Sequence, residues 1–308
     1  MKSPISTILR EQKLKYKKAT TYKTTKINFT PMKFNLKNII GTTAFLISQG
    51  IAAQVYVGIQ SGVGNIQSDI AGIKTGNRLG AAIKAGYVYS LNSHFGIGTG
   101  IEFSQYKQEV SFSQPTATLS NFEVDISTSA FVYNMTTNNY REKQTLQAVQ
   151  IPLFVQYRKS INTGIDFNFR AGAKYFLPVN YKINAIADYA NGTAYYPDVN
   201  LTIIDLPEYG FGQQNNYSAS GEYKTKGIIM SSFELGFTFD MGKKSSLYAS
   251  MFLENGYSTI LDQNQNESYI SYNPTSVTDR KTNGLYSTDK DAEIKPVAFG
   301  LTLGWNFK

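Results

Sequence analysis

The sequence lacks several features that would each point to a large class of proteins. It contains no cysteine and one histidine, and charged residues make up only 17% of its 308 positions. Without cysteine there can be no disulfide, no cysteine-ligated metal and no thiol catalysis. After residue 54 no apolar run approaches the roughly 20 residues that a membrane-spanning helix needs. The chain is therefore neither a helical membrane protein nor a highly charged disordered one.

The net charge of +8 belongs to the N-terminal part of the chain. Residues 1–53 hold ten Lys and Arg and one acidic residue, whereas residues 54–308 hold 20 basic and 21 acidic residues. The larger part is therefore almost neutral. The basic composition gives no reason to expect a nucleic-acid partner.

The N-terminal 53 residues have the order of a targeting segment. A short basic stretch, 32–37, precedes a mostly apolar stretch, 39–51, and small residues lead up to Gln54. This order is typical of a secretory signal peptide that begins at Met32. We predict a signal peptide over 32–53, with cleavage after Ala52 as the alternative, and a folded domain over 54–308. Residues 1–31 are then an upstream basic extension, disordered or not translated.

Beyond residue 54 the dominant pattern is alternation of apolar with small or polar residues. The closing stretch, Gly300–Lys308, is an example: large apolar residues occupy every second position, and Gly, Thr and Asn lie between them. A period of two is typical of a strand with one apolar face. Eight segments share this pattern: 55–61, 79–89, 95–103, 149–157, 165–177, 231–239, 247–253 and 299–307.

The connections between these segments alternate in length. Short turns, 91–94, 159–164 and 241–245, join segments two to three, four to five and six to seven. The other connections are longer, from about 14 residues to about 40. Transmembrane barrels have this alternation because their periplasmic turns are short and their extracellular loops are long. The sequence therefore predicts an all-β, closed, antiparallel, up-and-down transmembrane barrel.

The two faces of the strands differ in the way a membrane barrel requires. The apolar faces carry essentially no charge, whereas long charged side chains of both signs share the other faces with glycine and serine. An eight-stranded barrel has a lumen just wide enough to be filled by side chains. We therefore predict a polar network in the lumen, either an interior array of paired ions or the lining of a narrow pore. Its members are Lys84, Glu102, Arg158, Arg170, Lys174, Glu234 and Glu254.

The strand number is eight, with ten as the alternative. The last strand must pair with the first, because an open edge in lipid would leave backbone groups unpaired at several kcal/mol each. Val110–Ser113 and Phe122–Ile126 form either an additional hairpin or extensions of the third and fourth strands beyond the bilayer.

Four stretches resemble the outer membrane protein β-barrel domain family, the small porin-like barrels of Gram-negative bacteria. They are Gln150–Arg158, Phe169–Val179, Leu247–Ile260 and the terminal GLTLGWNF. The resemblance implies a multi-pass barrel in the outer membrane. It also implies that the barrel-insertion machinery reads a C-terminal aromatic signal, here Trp305 and Phe307, although Lys308 follows the last aromatic residue.

Few residues suggest catalysis or ion binding. His94 follows Ser93 in a short turn predicted to lie in the periplasm, whereas barrel enzymes act at the outer side. Asp262 opens a stretch similar to a calcium loop, but that stretch lacks the required glycine and terminal glutamate. The acidic residues of the last long loop leave weak contact with divalent ions or lipopolysaccharide open. We expect no cofactor, no metal site and no catalytic residue.

The function expected is therefore structural or surface interaction through long extracellular loops rich in Tyr, Asn, Ser and Gly, without catalysis. A narrow channel for ions or small solutes and a membrane enzyme acting on lipid or peptide are the alternatives. A soluble lipocalin-like binder would require the charged faces to point outward. The expected partners are outer-membrane lipid and lipopolysaccharide, the insertion machinery and an extracellular ligand of unknown nature. The barrel is expected to be a monomer.

Overall fold

The computed structural model describes residues 53–242, 244–262 and 267–307, apart from the side chains of Ala53, Asn65, Asn77 and Arg78. The predicted extension and all but the last residue of the predicted signal peptide, 1–52, lie outside these residues. The described chain is a single antiparallel β-structure with two short 3₁₀ turns, Pro207–Tyr209 and Leu285–Ser287. None of its helical segments is long and apolar enough to cross a membrane.

Twelve strands form the structure, and all of their pairings are antiparallel. They are β1 (Ala53–Gln67), β2 (Ile73–Ser90), β3 (Phe95–Phe112), β4 (Thr116–Val124), β5 (Ala130–Asn138), β6 (Arg141–Asn162), β7 (Ile165–Tyr196), β8 (Leu201–Ile203), β9 (Gly212–Glu222), β10 (Ile228–Asp240), β11 (Ser245–Gly256) and β12 (Lys295–Phe307).

Eight of the strands close into a barrel. The hydrogen-bonded order around the ring is β1, β2, β3, β6, β7, β10, β11 and β12. The last strand returns to the first with a continuous register from Val55 opposite Phe307 to Gln67 opposite Lys295. Every segment predicted from alternation belongs to this ring. The prediction of a closed eight-stranded barrel is confirmed.

A continuous apolar band surrounds the ring and faces outward. On β12 the lipid-facing side chains Phe299, Leu301, Leu303, Trp305 and Phe307 are each 44–63% exposed. The residues between them, such as Thr302 and Asn306, are buried in the lumen. Equivalent exposed apolar residues occur on the other strands, for example Ile83, Ile101, Leu153 and Leu235. Only hydrocarbon is a suitable solvent for such a surface, since soluble proteins rarely expose apolar patches larger than a few hundred Å².

Several strands continue far above this band. β7 has 32 residues, which at about 3.3 Å per residue is about 100 Å of strand, whereas a bilayer crossing needs only about ten residues. Strand β3 pairs with β6, and β4 pairs with β5. Only three residues, 113–115, separate β3 from β4 along the chain, and only two, 139–140, separate β5 from β6. Val110–Phe112 therefore extend the third strand, as one of the two alternatives had it, whereas Phe122–Val124 lie in β4, in a hairpin with β5 and not in an extension of the fourth strand.

The upper strands and the connection between β11 and β12 form a folded extracellular body, which we call the lobe. It contains β4, β5, β8, β9, the upper parts of β3, β6 and β7, and residues 257–262 and 267–294, which we call loop 4. The lobe replaces most of the long loops expected from the sequence. Even the first connection is a turn of only five residues, Ser68–Gly72, because β1 continues past the predicted segment 55–61 and β2 begins before the predicted segment 79–89.

Candidate functional site

Three features of the structure determine what the protein can do: the filling of the lumen, the core of the lobe and a cavity at the tip of the lobe. The lumen decides whether the barrel can conduct. Loop 4 supplies much of the core of the lobe. The cavity is the place where a ligand could bind.

Charged side chains in the lumen form two ion-pair groups. Lys174 Nζ lies 2.5 Å from Glu102 Oε2 and 2.6 Å from Glu254 Oε1. Glu234 lies between Lys84, at 3.0 Å, and Arg170, at 3.5 Å. The three cations balance the three carboxylates, so this layer of the lumen is electrically neutral. Buried charges need such partners, because an unpaired charge would lose its hydration without compensation.

Aromatic rings close the lumen around Arg170. Its guanidinium carbon lies 5.0 Å from the ring centre of Tyr56, 5.2 Å from that of Phe154 and 5.1 Å from that of Tyr248. These distances are suited to cation–π attraction. The fit is tight, since a Cβ atom on Gly98 would collide with the ring of Phe154.

Little space remains between the side chains of the lumen. The cavities beside Arg170, Lys174 and Glu254 have volumes of 10–20 Å³. That is about the space that one water molecule occupies. This layer of the lumen is therefore packed like a protein interior.

The other residues singled out from the sequence lie nearer the periplasmic end of the barrel. Arg158 is at the lumen mouth, where it donates a hydrogen bond to Gln54 and lies 3.8 Å from Asp166. Trp305 and Phe307 face lipid near the end of β12. His94 is exposed in the turn between β2 and β3, where its Nδ1 lies 2.9 Å from the Ser93 hydroxyl. The described residues include no cluster of three or more metal-ligating side chains.

Inside the lobe, loop 4 supplies much of a buried core. Tyr269, Leu285 and Tyr286 are at most 1% exposed. They pack with inward side chains of the upper strands, such as Tyr140 and Ile183. The sequence suggested that the tyrosines of the long connections serve recognition. Many of them instead build this core, because the strands enclose them.

Glu142 on β6 fastens loop 4 to the wall of the lobe. Its Oε1 accepts hydrogen bonds from the backbone N–H of Leu285 (2.7 Å) and the hydroxyl of Tyr140 (2.8 Å). Its Oε2 accepts from the amide of Gln144 (2.7 Å) and the hydroxyl of Tyr223 (3.3 Å). No ion pair to Glu142 occurs among the described residues. Burial raises the pKa of this carboxyl, although the hydrogen bonds oppose the rise.

A second set of hydrogen bonds between loop 4 and the wall of the lobe lies nearer the tip. Arg280 of loop 4 donates to the carbonyl oxygens of Ala190 (3.0 Å), Gly210 (2.8 Å) and Gly212 (3.0 Å). These carbonyls belong to β7, to the connection before β9 and to the start of β9. Arg280 therefore joins three parts of the lobe. Neither Glu142 nor Arg280 was singled out from the sequence, where a buried polar residue looks like an exposed one.

The tip of the lobe contains a cavity of about 260 Å³. Its lining comes from the hairpin turn after β4, from the chain between the end of β7 and the start of β9, and from loop 4. Aromatic and aliphatic side chains predominate, and one carboxylate is among them. The lining residues are Asp125, Ile126, Ser127, Tyr196, Val199, Leu201, Ile203, Leu206, Tyr209, Phe211 and Tyr272.

Two hydrogen bonds and a group of stacked rings fix the walls of this cavity. The hydroxyl of Tyr196 donates to Asp125 Oδ2 at 3.0 Å, and that of Tyr272 donates to the carbonyl of Tyr209 at 2.9 Å. The rings of Phe211 and Tyr272 are stacked, with centres 5.3 Å apart. Phe131, behind them, contacts both rings and that of Tyr196. The cavity is therefore preformed.

Comparison with known proteins agrees with this architecture. The sequence model of the outer membrane protein beta-barrel domain matches residues 47–200. No curated protein matches the chain. Solved structures do match, at low identity.

Neisserial surface protein A is 9% identical over 82% of this chain and 96% of its own, with a TM-score of 0.33. The attachment invasion locus protein Ail of Yersinia pestis, solved with the heparin analogue sucrose octasulfate, is 10% identical over 82% and 98%, with a TM-score of 0.26. The translocator domain of the autotransporter NalP from Neisseria meningitidis is 10% identical over 88% and 94%, with a TM-score of 0.22. The family assignment rests on the sequence match, which covers half of the chain. The protein belongs to the outer membrane protein beta-barrel domain family and is a multi-pass barrel of the outer membrane.

Proposed function

We propose that the protein is a non-conducting, non-catalytic barrel that displays a rigid recognition lobe at the cell surface. The observation that carries the proposal is the filling of the lumen by paired ions and rings, where the cavities beside Arg170, Lys174 and Glu254 measure 10–20 Å³. A permeating ion would have to separate these charge pairs and move rings that are already in contact. The lobe, in contrast, presents a preformed cavity to the outside.

The same packing argues against the alternative of a narrow channel. A selectivity lining leaves charged groups beside a water-filled path, as in porins. Here Lys174 is 3% exposed, and both of its carboxylate partners are also buried. Loop 4 adds a second obstruction, because its buried residues lie above the lumen, within the ring of upper strands.

The proposal that the barrel is not an enzyme rests on the surroundings of His94. A histidine acts as a general base when it can reach the nucleophile and is oriented by a third group. The ring of His94 contacts the neighbouring hydroxyl of Ser93 and the ring of Tyr157, both at the periplasmic turn. This position is remote from the lobe and from its cavity.

Conductance across a planar lipid bilayer tests the sealed lumen. The purified wild-type barrel should give no discrete current steps, while the shift in gel mobility on boiling confirms that the inserted sample is folded. Arg170→Ala, which removes the cation between the three rings, provides the matched comparison. Discrete steps from the wild-type protein, altered in size by Arg170→Ala, would show that the barrel is a pore and would overturn the proposal.

Thiol labelling on intact cells tests the display of the lobe. Because the chain has no native cysteine, one introduced cysteine gives a unique label. Thr202→Cys, exposed on β8, should react with a membrane-impermeant maleimide. Ser93→Cys, exposed in a periplasmic turn, should react only after the outer membrane is opened. Labelling of Ser93→Cys alone on intact cells would reverse the orientation and remove the basis of the proposal.

A further inference from the structure

The cavity at the tip of the lobe has a chemistry that selects among ligands. Its volume of about 260 Å³ is close to the lower limit for small-molecule sites, which run from about 300 Å³ upward. The rim is apolar and accessible: Ile126, Val199, Leu201 and Tyr209 are each 45–67% exposed. Exposed apolar residues gathered around a preformed cavity are typical of binding sites.

The aromatic rings give the cavity a preference for positive charge. Tyr196, Tyr209, Phe211 and Tyr272 all contribute to its lining. The face of an aromatic ring carries the negative part of a quadrupole, and cages of such rings bind alkylammonium groups. Rings and aliphatic side chains together suit a ligand with an apolar body and a cationic group.

The charge of the tip strengthens this preference. The two segments that form most of it, 113–140 and 187–223, contain seven acidic residues and no Lys or Arg. The acidic residues are Glu123, Asp125, Asp188, Asp198, Asp205, Glu208 and Glu222. This negative charge would repel an anionic ligand and attract a cationic one.

Asp125 brings a carboxylate into the cavity itself. Hydrogen bonds from the backbone of Ser129 and Ser127 and from the Tyr196 hydroxyl lower its pKa, so that it is ionised at neutral pH. Burial, followed by the negative charges of Asp125 and Glu123, raises the pKa of Tyr272 to about 12. The same negative potential that opposes ionisation of a tyrosine stabilises a bound cation.

Loop 4 brings two basic residues, Arg280 and Lys281, near this site. Lys281 is exposed, and its backbone pairs with that of Ser271, next to Tyr272, but it does not line the cavity. Arg280 is the buried one of the two. It lies behind the wall, where it binds the carbonyls on either side of Phe211, and it is only 3% exposed. It does not line the cavity. Its charge therefore meets backbone oxygens rather than the ligand.

We propose that this cavity is a binding site for a small organic cation, a protonated amine or quaternary ammonium group attached to an apolar body. The proposal rests on the recognition role proposed for the lobe and names its ligand class. In the bound state the apolar body contacts the rim and the rings, and the cation lies beside the Asp125 carboxylate.

The test is a titration of the full-length barrel in lipid nanodiscs with three probes of matched size, followed by NMR. The probes are 2-phenylethylammonium, neutral 2-phenylethanol and anionic phenylacetate, and empty nanodiscs give the background. The cation should bind at one saturable site and perturb the tip of the lobe. The alcohol should bind at least about fivefold more weakly and phenylacetate more weakly still, since a charge pair near a protein surface contributes about 1 kcal/mol or more.

Two variants assign the effect to the cavity. Asp125→Asn should weaken binding of the cation by at least about fivefold, for the same electrostatic reason. Glu222→Gln removes one carboxylate from the same lobe at an exposed position outside the cavity lining, and binding should stay within about twofold of wild type, because exposed charges are screened by salt. Unchanged NMR spectra away from the cavity would show that both variants are folded.

Equal binding of the cation and the alcohol, equal binding by wild type and Asp125→Asn, or no saturable binding of the cation would each overturn this proposal. None of these results bears on whether the barrel conducts ions or on which way the lobe faces. The proposed function fails separately, through current steps or reversed labelling.

Discussion

At the scale of single residues, Lys174 is a central element of the lumen because two buried carboxylates depend on it. Replacing it with methionine keeps much of the side-chain volume but leaves Glu102 and Glu254 without their cation. Removing one partner of a buried ion pair costs about 3–5 kcal/mol. We therefore expect Lys174→Met to lower the free energy of unfolding by about that amount, measured by urea titration in lipid bilayers.

The control for this prediction neutralises the carboxylates as well. In Lys174→Met/Glu102→Gln/Glu254→Gln, no uncompensated charge remains, and much of the stability should return. A loss below about 1 kcal/mol for Lys174→Met alone, typical of exposed ion pairs, would show that water reaches the lumen and that the network is not sealed.

Glu142 makes the stability of the lobe depend on pH. Burial raises its pKa in the folded state above the ordinary value of 4.5. The folded state therefore binds the proton more tightly than the unfolded state. The stability that results is fully present below pH 4.5 and is lost as the pH rises through the folded pKa. The contact between loop 4 and the wall should thus loosen with rising pH, measured as a falling protection factor of the Leu285 amide, that is, the ratio of its intrinsic exchange rate to the observed rate at the same pH.

Glu142→Gln separates this effect from simple structural damage. The substitution places an amide donor against the amide of Gln144 or the hydroxyl of Tyr223, and a mismatched buried polar group costs about 1–3 kcal/mol. Stability should fall at every pH, but its dependence on pH in this window should be reduced. Glu222→Gln, at an exposed site of the same lobe, should retain the wild-type dependence. An unchanged pH dependence in Glu142→Gln would refute the assignment.

At the scale of elements, the polarity of each transmembrane strand decides which substitutions it accepts. Leu301 lies near the middle of the outward face of β12 and is 63% exposed to lipid. Arginine at the middle of a bilayer costs about 2–4 kcal/mol on the lipid face of a barrel. We expect Leu301→Arg to lose that much stability in bilayer unfolding.

Thr202→Arg offers the matched control, because Thr202 is also an exposed strand residue but lies in the lobe, where the surroundings are water. Its cost should remain within about 0.5 kcal/mol, as for ordinary surface substitutions. Equal costs at the two positions would mean that Leu301 does not face hydrocarbon.

The same contrast explains which elements could be predicted from the sequence. The eight ring strands follow from alternation, because lipid on one side and a polar lumen on the other impose opposite demands on neighbouring residues. Above the bilayer this contrast weakens. The inner face of upper β7 is built from small residues such as Ala185, Ala190 and Ala194, and the alternation shifts near Asp188. These strands were therefore mistaken for loops.

The residues of the candidate sites were predictable to a similar extent. The charges on the lumen-facing sides of the strands were identified by number, since a charge in an otherwise glycine- and serine-rich strand is conspicuous. Glu142, Arg280 and the residues around Asp125 were not. Their roles depend on contacts between segments more than 60 residues apart in the chain, and no local pattern records such contacts.

At the scale of the whole molecule, the barrel is surrounded by lipid and the lobe by water, and the interiors of the two regions differ accordingly. The barrel places ions inside and apolar groups outside, whereas the lobe has an apolar, aromatic core. The long strands β3, β6 and β7 pass from one region to the other. They hold the lobe in a fixed relation to the membrane, which is what display of a preformed cavity requires.

The central claim is that the extracellular half of the chain is a folded body continuous with the barrel. Hydrogen–deuterium exchange of the protein in lipid nanodiscs tests it most directly. We predict that amides of β5, upper β7, β9 and the Leu285–Tyr286 segment remain protected for hours, as those of the transmembrane strands do, while only the outer turns exchange at once. Complete exchange of β5, β9 and loop 4 within seconds, beside a protected transmembrane ring, would contradict the account.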